Sequence, residues 1–152
     1  MKKAMLAALI GTSTLLASGT VSAQAKPEDV IKFRQGVYQV VGWHTRTMGG
    51  MVKGQIPYDQ AEFARNAEIV AMMSTVAPHA FAPGSDKGAP TRARPEIWSD
   101  AAGFKKVMDN FQAEATKLAQ VAKTAGSVDQ VRGQFSAMSK SCGACHDNYR
   151  TK

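Results

Sequence analysis

Three observations predict an all-α fold, an antiparallel four-helix bundle. Four segments carry apolar residues spaced by threes and fours, no alternating stretch reads as a strand, and two of the three links between helices are short.

The first residues are set aside as a targeting segment. Lys2 and Lys3 precede an apolar run from Ala4 to Ala17, and Val21-Ser22-Ala23 offers small residues for cleavage. Thr12, Ser13 and Thr14 interrupt that run, which falls short of the roughly 20 residues a membrane span needs. The expectation is a signal peptide over 1–23 and export to the periplasm. One soluble domain would then run from Gln24 to Lys152, with no membrane insertion after cleavage.

The first helix opens at Pro27-Glu28-Asp29, with acid against the positive helix end. It carries Val30, Phe33, Val37, Val41, Met48 and Met51 as its apolar positions and stops near Gly49-Gly50 or by Pro57. The second starts with a capping box, Asp59 and Glu62, and runs through Phe63, Ala67, Val70 and Ser74 to Pro78. Residues 78–98 hold four prolines and two glycines and read as one long irregular loop. The third helix begins at Ser99 or Asp100, shows Phe104, Val107, Phe111, Ala115, Leu118 and Ala122, and ends at Gly126. Ser127 with Gln130 predicts another capping box and the start of the fourth.

On that last helix Val128, Val131, Phe135, Met138, Cys142, Cys145 and Tyr149 form an unbroken core-facing seam. The chain's two cysteines occupy it, with His146 on the same face. Cys142-Gly143-Ala144-Cys145-His146 is the attachment pattern for covalent c-type haem: each thiol joins one vinyl group and the next residue reaches the iron. A small-hydrophobe role for the cysteines leaves His146 unexplained. A thioredoxin-like pair would open a helix after a strand, whereas this one closes a helix. A zinc site needs four ligands, and only His44 and His79 remain as nitrogen donors. The sequence thus predicts one haem c on Cys142 and Cys145, with His146 as the metal ligand.

In an up-down-up-down bundle the end of the fourth helix lies beside the start of the first. Arg34 to Val41 should then face the haem opposite His146. Met48 lies about 15 Å along the axis from Tyr38 and His44 about 9 Å, too far to reach the iron. His79, in the loop, is a weak candidate for ligation. Five-coordinate iron follows.

KPEDVIKFRQGVYQVVGW, FAPGSDKG, RPEIWSDAAGFK and CGACHDNYR together resemble cytochrome c′, the class II c-type cytochromes, over essentially the whole mature chain. That resemblance implies that Arg34 and Gln35 contact the haem propionates. It puts Tyr38 over the open iron face, Arg150 beside the proximal histidine, and Thr91 and Arg92 against the haem. It also implies a homodimer through helices one and two, for which Tyr58, Ile69, Met72 and Met73 offer apolar surface.

Functionally, the reading is a non-enzymatic haem protein that moves single electrons, binds small gases such as NO and CO, or does both, with an unidentified redox partner. The alternatives are a peroxidase-type haem enzyme and a six-coordinate low-spin electron carrier. Lys and Arg number 19 against 12 Asp and Glu, a formal +7. They are scattered without aromatic interleaving, which argues against nucleic acid as a partner.

Overall fold

The computed structural model describes residues 25–152, so the expected signal peptide lies outside the described residues. Helix α1 spans Pro27–Val52 and α2 spans Gln60–Val76. A 3-10 turn, Ala77–Ala80, follows, then a one-turn helix α3, Glu96–Ser99. Helix α4 spans Ala101–Ala122 and α5 spans Val128–Tyr149. The four long helices form the antiparallel bundle, α1 against α2, α2 against α4, and α4 against α5.

The caps follow the sequence at two of three sites. Asp59 accepts a hydrogen bond from the Glu62 amide at 2.7 Å, and Asp100 accepts one from the Gly103 amide at 3.1 Å. The third differs: the Ser127 side chain makes no cap bond, and its carbonyl takes the Gln130 amide instead. Helix α1 runs through Gly49-Gly50 and stops at Lys53, where Gly54 turns the chain out with φ of 70°.

The core is drawn from the expected periodicities. Val37, Val41 and Met48 on α1 are buried, as are Phe63 and Val70 on α2 and Phe104, Phe111 and Leu118 on α4. Val131 and Met138 of α5 join them. Phe33 is a correction, since it faces outward at 47% exposure. The buried positions beside it on α1 are Val30, Ile31 and Arg34.

The 78–98 segment also differs from the expected irregular loop. Its two ends are helical turns, and its middle is pinned. Ser85 is buried, and the Trp98 indole donates to the Phe81 carbonyl at 3.1 Å. An isolated antiparallel bridge joins Ala93 to Arg150, with Arg94 N–H donating to the Tyr149 carbonyl at 3.0 Å. This loop and the chain end therefore close the same end of the bundle.

Candidate haem site

The fourth seam of the bundle is not closed along its length. Near the end of α1 the helices touch: the Phe135 ring lies against Gly49, and Arg132 donates to the Val52 carbonyl at 2.7 Å. Toward the start of α1 and the end of α5 they part around a cavity of about 530 Å³. That volume lies in the range of cofactor and ligand pockets.

Helix α1 supplies Arg34, Gln35, Tyr38, Val41, Gly42, Thr45 and Arg46 to this cavity. The loop adds Phe81, Thr91, Arg92 and Ala93, α3 adds Ile97, and α4 adds Met108 and Phe111. From α5 and beyond come Ser141, Cys142, Cys145, His146, Tyr149 and Arg150. The nine residues singled out from the sequence all line this one space.

Cys142 and Cys145 are half-buried free thiols. Burial pushes both up, Cys145 to about 11 with the Cys142 sulfur as the next cause. A redox C-x-x-C pair needs the opposite, a lowered thiol. His146 stands exposed at the rim. Its partial burial and the nearby Arg150 cation hold its pKa below the ordinary value, so the imidazole stays neutral and can offer a lone pair to a metal. Arg150 Nη1 lies 3.4 Å from His146 Nε2. Among the described residues no group of three or more His, Cys, Asp and Glu could hold a metal ion, so a four-ligand zinc site has no donors here.

Arg34 is 4% exposed. Its Nη1 donates to the Ala80 carbonyl and the Ser85 hydroxyl, each at 3.1 Å, and its Nη2 to the Ser85 carbonyl and Thr91 Oγ1, each at 2.9 Å. The guanidinium also sits 5.1 Å from the Phe81 ring centroid. Gln35 donates to the Pro90 carbonyl, and Arg92 donates twice to the Thr151 carbonyl. These side chains fasten the loop and the chain end around the cavity.

Tyr38 packs edge-on to Phe81 at 6.2 Å, and its hydroxyl meets the Met108 sulfur at 3.9 Å. Burial, and then the two thiols, push its phenol well up, so it stays protonated. His44 is turned away, with Nδ1 2.6 Å from Asn66 Oδ1. Met48 is buried and His79 is exposed, and neither lines the cavity.

The sequence reading missed Met108, Phe81, Arg46 and Thr45. Met108 could have been found: it follows Phe104 by four residues, on the same helical face. The Thr45 hydroxyl is buried without a hydrogen-bond partner. The residues present fit a covalently held haem. Two thiols share one helix face, a neutral imidazole stands beside them, and four arginines but no carboxylate line the space, as a ligand bearing two propionates requires.

Comparison with known proteins agrees. The family model described as Cytochrome C′ matches residues 29–150. The cytochrome c′ of Alcaligenes xylosoxydans is 44% identical over 128 residues, covering 84% of this chain and 98% of that protein. A ferrous variant of Alcaligenes xylosoxidans cytochrome c prime with bound NO superposes with a TM-score of 0.77 at 43% identity, over 85% of this chain and 98% of that one. A variant of the same relative with carbon monoxide bound gives 0.76 at 44%, over 84% and 98%.

Proposed function

The chain belongs to the cytochrome c′ family, and from that premise we propose a periplasmic mono-haem protein with high-spin, five-coordinate iron. It binds small neutral gases such as NO and CO, exchanges single electrons, or does both. Haem c, the family's cofactor, supplies one iron that changes charge by a single electron and accepts small ligands. The thiols of Cys142 and Cys145 would hold it, each S–H adding across one vinyl double bond. His146, neutral at physiological pH, is the iron's protein ligand.

The observation that carries this reading is the face that α1 turns toward the cavity. It presents Arg34, Gln35, Tyr38, Val41, Gly42, Thr45 and Arg46, with no thioether or imidazole among them. Tyr38, matching the residue over the open iron face in the family, has Phe81 and Met108 as neighbours. An apolar surround favours a neutral diatomic over water or an anion. It also lacks the polar acid–base pair that peroxide cleavage uses, which supports binding over enzymatic turnover.

Arg34 keeps one guanidinium donor, Nε–H, free of the loop and available to a propionate. Its first role is to hold the cavity wall, with Gln35, Thr91 and Arg92 completing the same edge. Arg150 sits where it influences the His146 ring. The lysines and apolar run read as a signal peptide over 1–23 support export to the periplasm. No helix among the described residues is long and apolar enough to cross a membrane.

The homodimer reading rests on α1 more than the sequence suggested. Phe33, Val40 and Trp43 recur on one face of α1 at 47%, 38% and 66% exposure, and Met72 of α2 is 56% exposed. Tyr58 and Met73 are packed against the core, with the Tyr58 hydroxyl on the Ala125 carbonyl, and Ile69 is half-buried. Trp43→Glu is expected to give a monomer by sedimentation at micromolar concentration, with an unchanged haem spectrum. Dimers of unaltered strength would refute this interface.

One observation favours the six-coordinate alternative: Met108 brings a thioether into the cavity from α4. The test is CO titration of the ferrous protein. Tyr38→Ala should bind CO more tightly than wild type, and Met108→Leu should leave the unligated spectrum as it was. Equal affinity in Tyr38→Ala makes Tyr38 ordinary core. A low-spin to high-spin change in Met108→Leu makes Met108 a ligand and the five-coordinate reading wrong.

A further inference from the structure

A second cleft of about 440 Å³ lies on the other side of the wall that α3, α4 and the loop build around the haem cavity. Phe81, Ile97 and Met108 line both spaces, so these three side chains are the partition between them. The remainder of the cleft has Pro78, Pro83, Trp98 and Phe104 in its walls and Ala101 at its margin, with the exposed Lys105–Asp109 ion pair, 2.6 Å, on its α4 side.

No strong hydrogen bond ties the partition side chains in place. Met108 has an unbranched side chain, and its sulfur has one polar neighbour, the Tyr38 hydroxyl at 3.9 Å. A thioether is a weak acceptor, so that contact holds neither group firmly. Phe81 is half-buried and touches both sides, edge-on to Tyr38 at 6.2 Å and to Phe104 at 4.8 Å. Its backbone is held by Trp98, and its ring also lies under the Arg34 guanidinium, 5.1 Å from the ring centroid.

The two ways into the haem cavity therefore differ in chemistry. The open rim carries His146, Arg92 and Arg150, polar groups that hold water. The cleft behind the partition opens to solvent past the Lys105–Asp109 pair, but its inner walls, Phe81, Ile97, Phe104 and Met108, are apolar and offer a neutral gas a surface it can occupy at little cost in hydrogen bonds. We propose that this cleft is a docking site and entry route for neutral diatomic ligands, which pass between Phe81 and Met108 to reach the Tyr38 side of the cavity. The proposal builds on the gas-binding reading above and adds the path.

A route alters the rates of binding and release together and leaves the equilibrium alone. Ala101 lies on the exposed first turn of α4 and lines only the cleft, so Ala101→Trp fills the passage without entering the haem cavity. CO association and dissociation in the ferrous holoprotein are each expected to slow by about threefold or more, with the dissociation constant unchanged. Phe81→Ala, which opens the partition, should speed both. Xenon pressed into holoprotein crystals should occupy the cleft beside Phe104 and be excluded from it by Ala101→Trp.

An association rate unchanged in Ala101→Trp overturns the route. So does slower association with a weakened equilibrium, which would place the effect at the iron, and so does a cleft without xenon in wild type. A rate that levels off at high CO marks a first-order step ahead of iron binding, passage through the partition or displacement of Tyr38. The route is in that case read from the linear limb at low CO, where the filled variant must still be slower.

Discussion

The two ends of the α1–α5 seam use the same helix periodicity for opposite purposes. At the closed end Phe135 lies against Gly49 and packs edge-on to Phe63 at 6.3 Å, and Met48, Val131 and Met138 are sealed from solvent. At the open end Cys142 and Cys145 continue the α5 seam, yet α1 has moved away and offers Arg34 and Tyr38. A run of threes and fours shows that a face is covered, but not by what. The closed end is covered by protein, and the open end is shaped for a cofactor.

The sharpest way to break that comparison is to remove the covalent link. The Cys142→Ala/Cys145→Ala double variant should lose all haem staining on a denaturing gel, while wild type keeps its stain through acid-acetone extraction. Haem that migrates with the denatured double variant would mean attachment elsewhere.

Next comes stability without function. Phe63→Ala at the closed end should cost about 3–5 kcal/mol in a denaturant titration, yet leave the haem spectrum of the folded protein intact. A changed spectrum would show that the two ends are not separable.

Arg34→Ala tests the reverse. It removes four hydrogen bonds and leaves the Ala80 and Ser85 carbonyls without their side-chain donor, a loss of about 1–3 kcal/mol. The 80–91 loop should become the first site of limited proteolysis. Arg34→Lys should rescue it poorly, because one ammonium cannot reproduce the planar fork. Full rescue by Lys would make the charge, and not the clamp, the useful property.

The smallest effect concerns the lock between the chain end and α4. The Tyr149 hydroxyl donates to Asp100 at 2.7 Å, and a side chain on Gly103 would collide with both groups. That bond favours the protonated phenol and raises its pKa from 10.0 to about 12. The unfolded chain therefore ionises first as pH rises. The contribution is fully present below pH 10 and declines toward pH 12, a slope that Tyr149→Phe should flatten in denaturant titrations across that window. An equal slope in the variant would assign the alkaline loss to other groups.

Much of this was legible in the sequence, for physical reasons that also set its limits. The caps at Asp59 and Asp100, the α5 seam and the C-x-x-C-H run are local patterns, and each placed its element. What pairs across the bundle was not local. Phe33 looked like a core position by spacing, but α1 is covered on the side of Val30, Arg34 and Val37. Met108 reads from sequence as one more methionine filling the core, and only the packing of α4 across the bundle brings it to the cavity. The clamp of Arg34 on Ser85 and Thr91 joins residues more than fifty positions apart, and spacing carries no trace of it. Pro-rich composition likewise suggested irregularity in a segment that the clamp and Trp98 hold in place.

The most direct measurement is the absorption spectrum of the ferric and ferrous holoprotein at neutral pH. The account predicts high-spin spectra in both states, with His146 as the iron's one protein ligand. A low-spin ferrous spectrum with a sharp, split α band, or a far-red methionine-to-iron charge-transfer band in the ferric protein, would contradict it.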